Sequence, residues 1–298
     1  MLDKNVNIVV CLLNYNAYKD TIECVESLFE QKGVRFSIVI VDNCSTNNSV
    51  LEIEKYLRTK STQYFKMIWE EREKNELDSS AQVYLIQSPE NKGFSAGNNI
   101  AIRFCQESLF PDYILLLNND TVVPADFLST LSSEYIRLQK SEKKKIALGA
   151  REINYYSKKQ VHSGFQYMNL LSGLSFNYPI IPFFKYICGA CIMLDKNAPL
   201  LDEGYFLYFD DTEYAKILKN NGYKISKTGK THYFHKLSAT TSSLSTTTTI
   251  YFRSMWRFYQ RNYPKFIPFL LFIRYILNLL SGRSKNEIMV NEYASKTK

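Results

Sequence analysis

A short apolar run, Tyr113 to Leu117, ends abruptly in the polar residues Asn118-Asn119-Asp120-Thr121, and this junction constrains the fold more than any other feature of the chain. A continuous apolar segment of this length predicts a buried strand of a parallel sheet. In open α/β sheets, ligands bind beside the carboxyl ends of the strands. A carboxylate with side-chain amides beside it at such an end is suited to a hard divalent cation and the phosphates that the cation carries.

The rest of the chain continues this alternation of apolar strands and helical segments. A strand–helix series of this kind predicts a right-handed parallel sheet flanked by helices, the α/β class. The predicted strands are 6–13, 36–41, 83–87, 113–117, 146–150, 186–194, 223–226 and 231–234, and the predicted helices are 21–31, 50–57, 91–105, 125–139 and 212–220. Residues 58–82 are charged and polar, and we interpret them as a surface insertion that is helical in part.

The charge of the chain is concentrated in its last fifth. From Tyr251 onward there are nine Lys and Arg against two Glu, while the formal net charge of the whole chain is +8. The preceding part is therefore close to neutral, which argues against a nucleic-acid-binding face. The overall composition, 45% hydrophobic and 22% charged, is that of an ordinary folded protein.

The C-terminal segment differs from the rest. Residues 266–280 are mostly apolar and follow the basic residues Arg257, Arg261 and Lys265. This segment is shorter than the ~20 residues that a spanning helix needs. Two interpretations stay open: a helix that lies on an anionic membrane surface through residues 251–285, and an apolar face that packs on the domain or on a partner. The Ser- and Thr-rich run 238–249 before it is typical of a flexible linker.

The cysteines and the N-terminus indicate the compartment. Six cysteines are scattered through apolar or helical contexts, which is typical of reduced thiols in a cytosolic protein. Cys188 and Cys191 have the spacing of a redox or metal pair, but no second pair completes a zinc site, and we interpret them as strand residues. The N-terminal apolar stretch is too short for a secretory signal. We therefore expect a cytoplasmic protein, peripheral on the cytoplasmic face of the cell membrane.

Polar clusters recur where the predicted strands end. Such clusters are weak signals singly, because Asp and Asn are common in turns, but four in series on one sheet edge are hard to attribute to turns alone. They are Asp42-Asn43, the loop with Asn91 and Gly97, Asn118-Asn119-Asp120, and Asp210-Asp211.

Together these motifs resemble the large family of inverting glycosyltransferases with the GT-A fold, and within it the branch of bacterial rhamnosyltransferases. The resemblance covers residues 6 to about 260 in family order. The matching segments are Asn14-Tyr15-Asn16, Val-Asp-Asn-x-Ser at 41–45, Glu-Asn-x-Gly-Phe-Ser-x-Gly-Asn-Asn at 90–99, Leu-Leu-Asn-Asn-Asp at 116–120, Gly189-Ala190, Phe-Leu-Tyr-Phe-Asp-Asp-x-Glu at 206–213, and His235 with Ser238.

The resemblance implies a site for a nucleotide-sugar donor. Asp42 corresponds to the residue that hydrogen-bonds the nucleobase or ribose, although a plain turn role is the alternative. Gly93 and Gly97 would let the backbone approach phosphates or sugar, or would only satisfy tight turns. The implied donor-binding residues are Asn14, Asn16, Asp42, Asn91, Gly93, Gly97, Asn118 and Asn119.

The resemblance also implies a metal site and a catalytic base. Asp120 matches the last position of the family's Asp-x-Asp motif, whose first position is Asn118 here, so His235 is the expected second ligand of Mn²⁺ or Mg²⁺. Asp211 is the expected base that deprotonates the acceptor hydroxyl. Asp210, which stands where relatives have Glu, and Gly189 would orient acceptor or sugar.

The predicted protein is thus a GT-A domain over residues 1–250 with a basic, apolar helical extension over 251–298. It would transfer a sugar, with dTDP-rhamnose or a UDP-hexose as the candidate donor, to a lipid-linked or polysaccharide acceptor. Two alternatives stay open: a sugar-nucleotide pyrophosphorylase, and a non-catalytic nucleotide-sugar-binding module. The first is disfavoured because the loop 14–17 after the first strand contains no glycine.

Overall fold

The computed structural model describes residues 6–60, 62–74, 77–78, 80–237 and 244–272, without the side chains of 244–248. The predicted linker lies outside the described residues over 238–243, and the predicted apolar segment 266–280 lies outside them from 273 onward.

A ten-stranded sheet forms the centre of the described part of the chain. One half is parallel, in the order β3 (Tyr64–Ile68), β4 (Val83–Gln87), β2 (Arg35–Asp42), β1 (Asn7–Asn14) and β5 (Tyr113–Asn118). The other half continues with β12 (Cys191–Asp195), β7 (Lys145–Asn154), β13 (Tyr223–His235) and β6 (Thr121–Val122), and β8 (Gln160–His162) pairs with β7. In this half β12 runs antiparallel to both of its neighbours, whereas β13 is parallel to β7.

Helices cover both faces of this sheet, because its strands alternate two sets of buried side chains. In β1, Ile8, Val10 and Leu12 belong to one buried cluster and Val9 and Cys11 to the other. The first cluster contains the buried faces of α1 (Tyr18–Phe29), α2 (Ser49–Thr59) and α4 (Phe127–Glu142). The second contains those of α3 (Phe94–Phe104), α5 (Asp210–Asn220) and α6 (Leu244–Asn262). This mostly parallel sheet between two helical layers confirms the predicted GT-A-like α/β fold.

The carboxyl ends of the parallel strands lie side by side. In the strand register Asn14 pairs with Asp42, Leu13 with Asn118, and Asp42 with Gln87. The polar residues that follow these strands therefore meet at one edge of the sheet, as the sequence predicts.

Several predicted elements differ from the observed ones. The insertion 58–82 contributes the edge strand β3, which pairs in parallel with β4, and a 3-10 helix, Trp69–Lys74. The predicted strands 223–226 and 231–234 are one strand, β13, with an irregularity between Thr228 and His232.

The predicted strand 186–194 is wrong in a way that matters for the site. It is two strands in two sheets, β12 in the main sheet and β11 (Phe183–Ile187) in a small antiparallel sheet with β9 (Phe165–Asn169) and β10 (Ser175–Phe176). Cys188-Gly189-Ala190 lies between them as a turn. The continuous apolar character of the segment hides this break, because both halves are buried in different layers.

The C-terminal helix α6 crosses the domain boundary that we placed at 250/251. Its residues Phe258 and Tyr259 are fully buried, and Met255 is nearly so. A 3-10 turn, Pro264–Phe266, and a helix over 267–272 follow it. Within the described ranges, no helix is both long enough and apolar enough to cross a membrane. All six cysteines are free thiols.

Candidate active site

A cavity of about 280 Å³ opens at the carboxyl edge of the sheet. Residues from eight separated parts of the chain line it, among them Asn118, Gly189, Asp210, Asp211 and His235. The remaining wall is largely apolar and aromatic, formed by Phe94, Met168, Tyr186, Leu207, Tyr208, Phe209 and Tyr251. The fold therefore brings predicted catalytic, orienting, donor-binding and metal-ligating residues to one pocket.

The acidic pair of this pocket is presented by an unusual turn. Asp210 and Asp211 begin α5, directly after Tyr208 and Phe209, which both have left-handed backbone conformations (φ 64° and 58°). Consecutive non-glycine residues in this region are uncommon and persist only where packing holds them. Here the ring of Tyr251 on α6 packs against the rings of Tyr208 and Phe209, with centroid distances of 5.6 and 5.3 Å. Helix α6 thus stabilises the turn that orients the two carboxylates.

Burial changes the protonation of this pair. Removal from water raises the pKa of Asp210, and the neighbouring charge of Asp211 raises it further. Burial also raises the pKa of Asp211, although hydrogen bonds from Thr212 and from the backbone of Gly189 counteract part of this rise. A carboxylate with a raised pKa is a stronger base than an ordinary aspartate, which suits proton abstraction near neutral pH.

Asp120 and His235 lie next to each other at the same edge of the sheet. The Nε2 atom of His235 is 3.0 Å from Oδ1 of Asp120, and both side chains are largely buried. The strand pair β13–β6 makes this contact, since His235 pairs directly with Thr121. Burial alone would lower the pKa of His235, but the carboxylates of Asp120 and Glu152 outweigh it and raise the pKa to about 9.

Sequence reasoning missed Glu152. Its Oε1 atom lies 3.1 Å from Nδ1 of His235, and its Oε2 atom lies 2.9 Å from Nε2 of His162. Burial alone would raise the pKa of Glu152, but these two histidines lower it below its usual range. The predicted strand 146–150 stopped before this residue, and a single Glu near a strand end carries no local signal of its role.

Asn14 and Asp42 are the last residues of the neighbouring strands β1 and β2, and their side chains are hydrogen-bonded to each other. Asn14 Nδ2 donates to Asp42 Oδ2 at 2.6 Å, and the hydroxyl and backbone N–H of Ser45 donate to the same carboxylate at 2.6 and 2.9 Å. Asp42 is only 2% exposed. The turn role that we weighed as the alternative accounts for these contacts, and the nucleoside role of Asp42 stays a prediction.

The loops beside Asp42 are tied together by amide side chains. Asn16 accepts hydrogen bonds from the backbone of Thr46 and Asn47, and Asn91 accepts one from Asn43 Nδ2 at 2.8 Å. Asn119 donates to the Thr21 hydroxyl at 2.8 Å. Among the described residues that we predicted to bind the donor, Asn118 alone lines the cavity itself.

The glycines of this edge are explained by packing. Gly93 has φ +93°, and a Cβ there would lie 2.3 Å from the backbone oxygen of Phe206. A Cβ at Gly97 would lie 2.3 Å from Leu13 Cδ1, and one at Gly189 would lie 3.2 Å from the Asp211 Cβ. Gly93 and Gly189 therefore let two segments approach the acidic turn closely, and their contact with donor or acceptor stays a prediction.

Solved glycosyltransferase structures are similar to this fold. GalNAc-T7 with UDP, GalNAc and Mn²⁺ is similar with a TM-score of 0.61 at 14% identity, over 87% of this chain and 48% of that one. The S. aureus TarS fragment 1–349 in complex with UDP has a TM-score of 0.51 at 14% identity, over 86% and 73%. The mannosyltransferase PcManGT from Pyrobaculum calidifontis, in complex with GDP-Man and Mn²⁺, has a TM-score of 0.51 at 11% identity, over 97% and 79%. The chain thus spans about half the length of GalNAc-T7, and at these identities the likeness defines a GT-A-like fold.

The family is shown by sequence. The model of glycosyl transferase family 2 matches residues 9–187, more than half of the chain, and the chain belongs to this family. Comparison with curated protein sequences found no match. Membership in a transferase family favours the glycosyltransferase over the pyrophosphorylase that we kept as an alternative.

Proposed function

We propose that the chain is an inverting glycosyltransferase that moves a sugar from a nucleotide-sugar donor to a hydroxyl of a cell-surface glycan or its lipid-linked precursor. One observation carries this proposal: Asp211, Asp210 and His235 line one cavity, and His235 contacts Asp120. A transfer by single displacement needs a base on one side of the anomeric carbon and charge stabilisation at the leaving diphosphate on the other. The cavity offers Asp211 for the first task, and for the second task Asp120 and His235 would hold a divalent cation.

Asp211 acts as the base in this proposal. Its carboxylate lies in the first turn of α5, where it accepts a hydrogen bond from the Thr212 hydroxyl at 3.2 Å. The raised pKa allows it to take the proton of an acceptor hydroxyl as that oxygen attacks the sugar. Asp210 lies beside it and orients hydroxyl groups of sugar or acceptor.

Asp120 and His235 would hold a divalent cation. A carboxylate and an imidazole within 3.0 Å of each other form a donor pair that suits Mn²⁺, and Mg²⁺ less well because of the nitrogen ligand. When bound, such a cation neutralises charge on the departing nucleoside diphosphate. Mn²⁺ in the structures of GalNAc-T7 and PcManGT supports this assignment.

The edge formed by Asn14, Asp42 and Asn91 would receive the nucleoside part of the donor. The donor is dTDP-rhamnose or a UDP-hexose, and we propose the apolar, aromatic wall of the cavity for the acceptor, because aromatic rings stack well against sugar rings. A thermal-shift screen of nucleotide-sugars with Mn²⁺ or Mg²⁺ tests the donor. A selective rise with one nucleotide-sugar identifies it, and no rise with any of them speaks against donor binding.

Asp211→Asn tests the base. We expect the variant to retain donor binding but to lose transfer by about 10²–10⁴-fold, the usual contribution of a general base. Release of nucleoside diphosphate in the presence of acceptor measures the rate, and calorimetry measures donor affinity. Unchanged turnover would exclude Asp211 as the base. The protein would then still be an enzyme, with another group as its base.

Asp120→Ala tests the cation site. We expect loss of the Mn²⁺-dependent part of donor affinity, because the variant removes the carboxylate ligand. Calorimetric titration of the donor with and without Mn²⁺ measures it. Equal affinity of wild type and variant in Mn²⁺ would contradict the assignment.

A further inference from the structure

Beyond the residues already assigned, a buried polar network lies behind His235. Glu152 on β7 and His162 on β8 are each 2% exposed, and Tyr233 on β13 is fully buried. Cys188, from the turn between β11 and β12, completes the group. Burying polar groups this deeply costs free energy unless they are paired, so we asked what function this arrangement serves.

Every contact in this network converges on the Glu152 carboxylate. The Tyr233 hydroxyl donates to Oε2 at 2.8 Å, the Cys188 thiol donates to it at 3.7 Å, and His162 Nε2 lies 2.9 Å from it. The other oxygen, Oε1, faces Nδ1 of His235 at 3.1 Å. Three groups thus hold one oxygen in place and leave the other to His235.

The hydrogen bond to His162 speaks against a metal ion as the centre of this cluster. Ligand atoms of Glu152, His162 and Cys188 lie within 4.8 Å of one another, as in a metal site. However, Nδ1 of His162 accepts a hydrogen bond from the Gly164 N–H at 3.0 Å, so the ring proton is on Nε2 and no lone pair points into the cluster.

We propose that Glu152 is a positioning residue that fixes the ring of His235, so that its Nε2 faces Asp120 and the two form one cation site. A histidine that binds a metal through one nitrogen commonly donates its other N–H to a carboxylate, which sets the ring orientation and tautomer. The Glu152–His235–Asp120 series has this arrangement: Oε1 of Glu152 lies 3.1 Å from Nδ1 of His235, and Nε2 of His235 lies 3.0 Å from Oδ1 of Asp120. The inference rests on the cation site proposed above.

Glu152→Gln tests this role, with Mn²⁺ affinity measured directly by calorimetry in the absence of substrates. We expect about a 10–100-fold weaker affinity, the usual effect of removing a carboxylate that orients a histidine ligand. Glu134→Gln is the matched control. Glu134 is also a buried glutamate, 5% exposed, but its partners are Arg137 and Lys230 on the α4 side of the sheet, so Mn²⁺ affinity should not change.

A double-mutant cycle separates positioning from a general structural effect. In the His235→Ala background, Glu152→Gln should cause little further loss, because its effect passes through His235. An equal loss in both backgrounds would overturn the proposal, as would an unchanged affinity of the single variant.

Tyr233→Phe serves if Glu152→Gln fails to fold, since it removes only one donor from Oε2. We then expect a several-fold loss of Mn²⁺ affinity, and no loss would overturn the proposal.

The proposed cation site and the proposed role of Glu152 can be tested separately. Wild-type protein that binds no Mn²⁺ overturns the cation site and with it the role of Glu152, whereas wild-type binding with an unaffected Glu152→Gln variant overturns the role of Glu152 alone.

Discussion

At the scale of single residues, the site is defined by carboxylates in three different settings. Asp42 is saturated by hydrogen bonds from Asn14 and Ser45, Glu152 is held by buried donors, and Asp210 and Asp211 face a cavity. Burial, which hydrogen bonds offset only in part, raises the pKa of the last pair. A raised pKa in an accessible cavity suits this pair to exchange a proton with a substrate.

The raised pKa of Asp210 predicts a cost in stability at high pH. The folded protein binds the Asp210 proton more tightly than the unfolded chain, so the free energy of unfolding falls as pH rises through the raised pKa. We expect Asp210→Asn to have a higher melting temperature than wild type at pH 8 and a smaller gain at pH 5. Asp126→Asn, at an exposed position at the start of α4, is the control. A lower melting temperature of Asp210→Asn at pH 8 would contradict this explanation.

The pH dependence of the transfer rate should show the raised pKa of Asp211. Because the base is active when ionised, the rate should fall as pH drops through a value above the ordinary aspartate range near 3.8. The pH profile of nucleoside diphosphate release measures this. A rate that stays constant down to pH 4 would exclude a base with a raised pKa.

Gly93 determines how closely the acidic turn can approach α3. Gly93→Ala would place a Cβ against the Phe206 backbone at a left-handed position, so we expect about 1–3 kcal/mol lower stability and slower transfer. Gly229→Ala, where a Cβ meets nothing within 4 Å, is the matched control. Chemical unfolding and the transfer assay measure both variants, and equal behaviour of the two would refute this packing role.

At the scale of elements, α6 packs on the segment before Asp210, although its sequence is typical of a linker followed by a helical extension. Ser254 on α6 donates to the backbone oxygen of Leu207 at 2.8 Å, and the Phe258 ring lies 5.7 Å from that of Phe209. Arg257 and Arg261 pair with Asp202. The helix therefore buttresses the left-handed turn before Asp210, and much of its positive charge is used inside the domain.

Phe258→Ala tests this dependence on α6. The side chain is fully buried, so its removal should cost about 3–5 kcal/mol of unfolding free energy. Phe269→Ala, the same change at a side chain that is 52% exposed, should cost less than about 0.5 kcal/mol. Urea unfolding measures both. A small cost for Phe258→Ala would mean that α6 folds apart from the domain.

At the scale of the whole molecule, several exposed apolar side chains lie on the small sheet and on the helix 267–272. A Cβ at Gly173 would lie 3.6 Å from Leu270 Cδ2, so the small sheet adjoins the helix 267–272. On these two neighbours the exposed large apolar side chains include Leu174, Ile181, Phe183, Phe269 and Phe272. We propose this surface as the membrane contact, which would present the cavity to a lipid-linked acceptor.

Vesicle binding tests this surface. We expect the protein to sediment with anionic lipid vesicles, more weakly at high salt, and the double variant Phe269→Ser/Phe272→Ser to bind about tenfold or more weakly, since each phenyl group removed from lipid costs about 1.5 kcal/mol or more. Phe110→Ser is the control, because Phe110 is 70% exposed but precedes β5 at the opposite edge of the sheet. Equal binding of the double variant and wild type would place the contact elsewhere or exclude it.

The sequence by itself determined the strands of the parallel half other than β3, the helices between them, and the polar edge where Asn14, Asp42 and Asn118 meet. Those features follow from local periodicity and from the rule that parallel strands share one carboxyl edge. The tertiary structure alone decided that 186–194 breaks between two sheets, that α6 supports the acidic turn, and that Glu152 stands behind His235. Each of these depends on contacts between residues far apart in the chain, such as the contact of Glu152 with His235, which no local pattern encodes.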